Sequence, residues 1–130
     1  MKKFLVLLSI SIITTGCATT SVVTDVSSVM PGPNESVIVV QRKSTILGVA
    51  VSMTVWVDGA EAASSIRSGK EVRIIIANGE HTIQAGSTAI DKGKSVSFSV
   101  VEEEITFFAE PYIGLIAARF KLTQTGKRKL

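Results

Sequence analysis

The sequence predicts an all-β chain, a small antiparallel β-sandwich of about seven or eight strands. Three observations carry that expectation. Beyond residue 35, apolar residues recur at every second position, the period of a half-buried strand. Turn signals (Asp58-Gly59, Ser68-Gly69, Asn78-Gly79, Gly86 and Lys92-Gly93) punctuate the alternation at intervals of about ten residues. Between them no stretch has room for the helix of a βαβ unit.

Taken in order, the chain opens on Lys2-Lys3 and an apolar run from Phe4 to Ile13 broken only by Ser9 and Ser11. A basic start, an apolar segment and small residues form a secretory signal peptide over 1–16, expected as a helix. That run rises only about 15 Å as a helix, half the ~30 Å of a bilayer core. The signal ends at Thr14-Thr15-Gly16-Cys17, where the only cysteine of the chain sits at the cleavage point. This arrangement resembles the lipobox of bacterial lipoproteins, with Thr14 in place of the usual aliphatic residue. The resemblance implies cleavage before Cys17, a diacylglycerol on its sulfur and an acyl chain on its new amino group. Ala18 follows; in Gram-negative lipoproteins a residue other than Asp there implies release to the outer membrane, facing the periplasm.

Residues 17–34 read as a tether rich in Ser, Thr and Pro, closed by Pro31-Gly32-Pro33. The alternative for Val22 to Val29 is an edge strand or a segment lying along the domain. The domain itself is expected over 35–123. Val37 to Val40 begin it, followed by Val49, Val51, Met53, Val55 and Val57 with Trp56 on the opposite face. That strand runs into Asp58-Gly59, a type I′ hairpin signal. Val72, Ile74 and Ile76 alternate next, and Asn78-Gly79 leads to His81, Ile83 and Ala85, expected as a second hairpin. Val96, Phe98 and Val100 alternate with serines, Ile105 to Ala109 pack on both faces, and Ala118, Phe120 and Leu122 alternate with Arg119 and Lys121. Residues 124–130 form a basic tail.

Within this pattern, Val55-Trp56-Val57-Asp58-Gly59, then Gly69, Val72-Arg73-Ile74 and Asn78-Gly79-Glu80-His81-Thr82-Ile83, with the turn Lys92-Gly93-Lys94-Ser95-Val96, is similar to PEGA-type domains and to a family of small bacterial lipoproteins with one β-sandwich. The Pro-Glu-Gly-Ala tetrad of that name is absent. The resemblance implies an extracytoplasmic sandwich that supports binding or envelope architecture, and it carries over no catalytic residue.

Composition narrows the function classes. Apolar residues make up 45% of the chain and charged residues 19%, which suits a packed domain rather than a disordered one. The net charge of +3 resides at the ends: between Asn34 and Thr123 nine Lys or Arg face ten Asp or Glu. Without a basic stripe interleaved with aromatics, no nucleic-acid partner is expected. A single cysteine permits no internal disulfide.

His81 is the only histidine, and it lacks a second histidine or a thiol that would make a metal set, so no metal or cofactor is expected. It reads as the start of a return strand, hydrogen-bonded near its turn. Glu102-Glu103-Glu104 reads as a solvated turn between strands. The alternative function is an envelope-polymer hydrolase or metal-dependent enzyme in which His81 and Glu102 to Glu104 converge. The leading expectation is a membrane-anchored, non-catalytic lipoprotein whose sandwich binds a protein or glycan. Its candidate surface is Trp56, either exposed or packed as a second layer, and Tyr112 at the head of Tyr112-Ile113-Gly114-Leu115-Ile116, either an apolar loop or a strand. Cys17 is the lipidation site, and the tail from Gly126 to Leu130 suits anionic headgroups or glycan.

Overall fold

A computed structural model describes residues 21–23, 30–46, 51–87, 91–113 and 118–130. The signal peptide, Cys17, most of the tether and the Val49 start of one strand lie outside the described residues. The rest is all-β, with no helix among the described residues. Eight strands run between Glu35 and Lys129: β2 (Glu35–Arg42), β3 (Met53–Val57), β4 (Ala60–Ile66), β5 (Glu71–Ala77), β6 (Gly79–Gly86), β7 (Val96–Val100), β8 (Glu103–Ile113) and β9 (Ala118–Lys129). A short β1 (Ser21–Val23) precedes them.

The strands form two sheets, β1-β5-β2-β8-β9 (sheet A) and β4-β3-β6-β7 (sheet B). Alternation decides what lies between them. Ile38, Val40, Ile74, Ile76, Ile105 and Phe107 from sheet A meet Met53, Val55, Val57, Ile83, Phe98 and Val100 from sheet B, all buried. Each large side chain removed from water contributes about 1.5–3 kcal/mol, and with no disulfide available this core is the main source of stability. A smaller cluster, Val37, Val39 and Ile75, is buried on the other face of sheet A.

One expected hairpin forms, and the sequence expectations fail at four other points. Asp58-Gly59 closes the β3–β4 hairpin with both residues at positive φ (52° and 80°), as a type I′ turn requires. Asn78-Gly79 does not close a hairpin: β5 lies in sheet A and β6 in sheet B. Gly79, at φ 127°, lets the chain turn the corner between sheets. Second, the sandwich is not wholly antiparallel, because β8 returns from sheet B and lies parallel to β2, from Val37 opposite Glu104 to Arg42 opposite Ala109. Third, the tether contributes β1, antiparallel to β5 with Ser21 opposite Ile75, the edge-strand alternative. Fourth, the expected basic tail is the second half of β9, which stays paired as far as Lys129 opposite Glu103. Its cations are held by carboxylates: Lys127 lies 3.5 Å from Glu103, and Arg128 lies 3.0 Å from Glu104.

One buried charge fastens the sheets. Arg42 ends β2 facing inward and is 2% exposed. Its Nη1 donates to the carbonyls of Val51, at 2.7 Å, and Ile66, at 2.5 Å, while the guanidinium carbon sits 5.0 Å from the centre of the Phe120 ring. Burial pushes the guanidinium below its ordinary value, so the carbonyls and the ring must replace lost water. Arg42→Ala is expected to cost about 3 kcal/mol in urea denaturation, because it strands buried carbonyls as well as emptying space. Arg42→Met, which refills the volume without a donor, is expected to recover only part of that loss.

Candidate functional site

His81 faces inward on β6, opposite Phe98 of β7, with the two ring centres 5.8 Å apart. Its Nδ1 lies 2.6 Å from Asp58 Oδ2 and its Nε2 lies 2.7 Å from the Ala77 carbonyl oxygen. Asp58 Oδ1 also accepts from the Thr82 backbone N–H at 2.9 Å. The carboxylate partner of the histidine is therefore the turn aspartate of the β3–β4 hairpin. The sequence reading missed it, although the type I′ turn and the following strands hold the information. The Asp–His pair, Ser97 and Ser99 all border a cleft of about 460 Å³. A general base needs its second nitrogen turned to the nucleophile or substrate. Here that nitrogen faces a carbonyl, and the pair braces the corner between β5 and β6.

The acidic run is split by the fold. Glu102 is exposed at φ 48° in the turn, whereas Glu103 and Glu104 already belong to β8. The backbone N–H of Glu102 donates to Asn78 Oδ1 at 2.8 Å, and that of Glu103 donates to Ser36 Oγ at 3.1 Å. Ser36 is fully buried and donates in turn to Asn78 Oδ1 at 2.7 Å, so two turns and the start of β2 share one polar pin. Glu104 is not solvated as expected: its side chain is 12% exposed and bonded to Arg128 and Arg73. The Arg128 hydrogen bond, opposed by burial and aided by the charge of Arg73, holds its carboxyl below the ordinary value. None of these three glutamates is hydrogen-bonded or ion-paired to His81 in the described structure. Among the described residues no three His, Cys, Asp or Glu side chains gather as metal ligands.

The two aromatic candidates part company. Trp56 points away from the core, as alternation requires, but is only 6% exposed, with Lys92 Nζ 5.5 Å from its ring centre. It sits opposite Glu61 and Gln84 of the flanking strands. Lys92 is held there by a loop that doubles back on β6: Gly93 packs so closely that an added Cβ would lie 2.5 Å from the Ala85 carbonyl oxygen. Trp56 is thus a covered residue, and a sugar ring has no open face to stack on. Tyr112 is 46% exposed on β8, opposite Arg119 of β9. Asp91 first and Tyr112 second raise the guanidinium of Arg119 above its ordinary value. Ile113 closes β8, and the rest of that apolar stretch lies outside the described residues.

Tyr112 also borders a groove between the two sheets. This groove, of about 450 Å³, runs beside Val96, Phe120 and Leu122, rimmed by Lys94 and Lys121. Beyond Tyr112 and Lys94 a second cavity of about 450 Å³ adds Lys92 and Arg119, with Asp91 the one carboxylate in its lining. No motif marked this groove, because its residues come from three strands and one loop.

Two measurements check these placements. Because the fold depresses the Glu104 value, its contribution is present above the usual carboxylate range and is lost as pH falls through the lowered one. Glu104→Gln is expected to cost about 1–2 kcal/mol at neutral pH, allowing for the exposure of Arg128. The gap from the parent chain should close on acidification below about pH 4, followed by chemical denaturation at each pH. For Trp56, acrylamide is expected to quench the single indole weakly in the parent and more strongly in Lys92→Ala. No family model, curated protein or solved structure matches the chain.

Proposed function

We propose that this chain is a lipid-anchored, non-catalytic module of a bacterial cell envelope, whose PEGA-like sandwich binds a protein or glycan partner. Cys17, at the end of Thr14-Thr15-Gly16-Cys17, carries the lipid, and Ala18 directs a Gram-negative lipoprotein to the outer membrane, facing the periplasm. The observation that supports this reading most directly is how the reactive side chains are spent. The single histidine has one nitrogen on Asp58 and the other on the Ala77 carbonyl. Glu103 and Glu104 are engaged by Lys127, Arg73 and Arg128. Polar chemistry that would serve a hydrolase instead stiffens the corners of a platform. What that platform leaves open is a groove with an apolar floor and a basic rim, a surface for association.

The anchor is tested by expressing the full precursor in a bacterial host supplied with labelled fatty acid. The parent is expected to incorporate label and to lose the mass of residues 1–16. Cys17→Ala is expected to stay unlabelled and at precursor mass. Labelling and maturation of Cys17→Ala to the parental size would overturn the anchored reading.

A further inference from the structure

The two sheets end on edges that face each other across the groove. Sheet B ends at β7 and sheet A at β9, and neither has a backbone partner on its outer side among the described residues. Val96 and Leu122 border the groove at one end, while at the other Lys127 Nζ donates to the Ser99 carbonyl at 3.0 Å. Val96 and Ser99 advance along β7 as Leu122 and Lys127 advance along β9, so the two edges run in the same direction. No ladder joins them, and a lysine side chain spans the interval. A strand bonded to both would need about 9–10 Å, two strand spacings.

We infer that this seam is a strand-addition site, which takes an extended peptide segment of a partner protein, with apolar and acidic residues alternating. This inference rests on the binding-module reading above and names its surface and partner. A guest antiparallel to β7 is antiparallel to β9 as well, the more stable pairing on both sides. Its inward side chains fall on Val96, Phe120 and Leu122, and its outward ones meet Lys94 and Lys121. The charge pattern selects the guest. β9 holds five Lys or Arg in its twelve residues and no carboxylate, and the groove lining holds none. A second copy presenting its own β9 would bring like charges together, which disfavours self-association. Lys127 closes the far end and limits the guest to the stretch before Ser99.

The test uses the full chain in detergent, isotopically labelled, with amide spectra recorded against three probes. These are a blocked peptide alternating Val and Glu, the same peptide with Lys for Glu, and an acidic polysaccharide. The Val/Glu peptide is expected to shift the amides of β7 and of residues 120–127. Lys94→Glu combined with Lys121→Glu, whose remaining amides should be unmoved, is expected to weaken it about tenfold and to favour the Val/Lys peptide. Shifts confined to other strands, equal binding of both peptides, or an unaffected double variant would overturn strand addition. Preferential binding of the polysaccharide at the seam, or a concentration-dependent dimer through it, would also overturn it. A flat titration with the Val/Glu peptide removes this inference alone, since the anchored reading fails only on the labelling result.

Discussion

A buried guanidinium is the constraint around which the sandwich is arranged. Arg42 stands at the last position of β2, on the face where every preceding alternate residue is Ser, Ile or Val. Burying a charge there is costly unless hydrogen bonds and a polarisable face replace its water. The chain meets it with carbonyls from Val51 and Ile66 at the sheet B end and with the face of Phe120 from β9. These contacts dictate where β4 ends, where the chain approaches β3, and where β9 begins to pack. Phe120 also forms part of the groove floor, so the clasp that closes one end of the core shapes the open seam beside it.

The opposite end is pinned by two small polar networks. Ser36, Asn78 and the backbone of Glu102 and Glu103 form one network, and Asp58, His81 and the Ala77 carbonyl form another on the far side of the Asn78 corner. Both brace the single residue that separates β5 from β6. A chain changing sheets through one residue leaves backbone groups at the corner without ladder partners, and side chains fill that need. This explains why the histidine and the acidic run looked like chemistry in the sequence. Both sit where a polar side chain is required, and the requirement is architectural.

Period-two alternation located β3, β5, β6, β7 and the first half of β9, because burial on one face writes itself directly into residue type; β2 and β8 read instead as apolar runs packed on both faces. β4 was less legible. Its burial skips along Ala62, Ala63 and Ile66, because register shifts against β3 and a positive φ of 59° at Ser65 break the period. Sheet membership was not legible at all, since Asn78-Gly79 has the composition of a hairpin turn and the decision to cross sheets lies in partners distant in sequence. The second half of β9 was hidden in the same way. Gly126-Lys127-Arg128-Lys129 has no apolar residue to betray a strand, and is ordered by Glu103 and Glu104 on its neighbour. Trp56 was ambiguous because its cover, Lys92, arrives from a loop that turns back on itself.

The same ion pairs bear on how the exposed edge behaves. A twelve-residue edge strand is a hazard for sheet-to-sheet aggregation unless something blunts it. Here a register shift between Thr106 and Phe107 bends the β8–β9 ladder, and Lys127 turns inward, opposite buried Ile105, to reach across to β7. β9 carries no carboxylate of its own, and although Lys127 and Arg128 are paired with Glu103 and Glu104, its remaining cations disfavour another β9. Protection of this kind is selective rather than absolute. It acts through charge and through one closed end, and leaves the Val96–Leu122 stretch apolar and partly exposed. A neutral or basic strand gains little there, whereas an acidic one relieves the repulsion that guards the edge. The features that keep the domain from pairing with itself are therefore the ones that would define its partner.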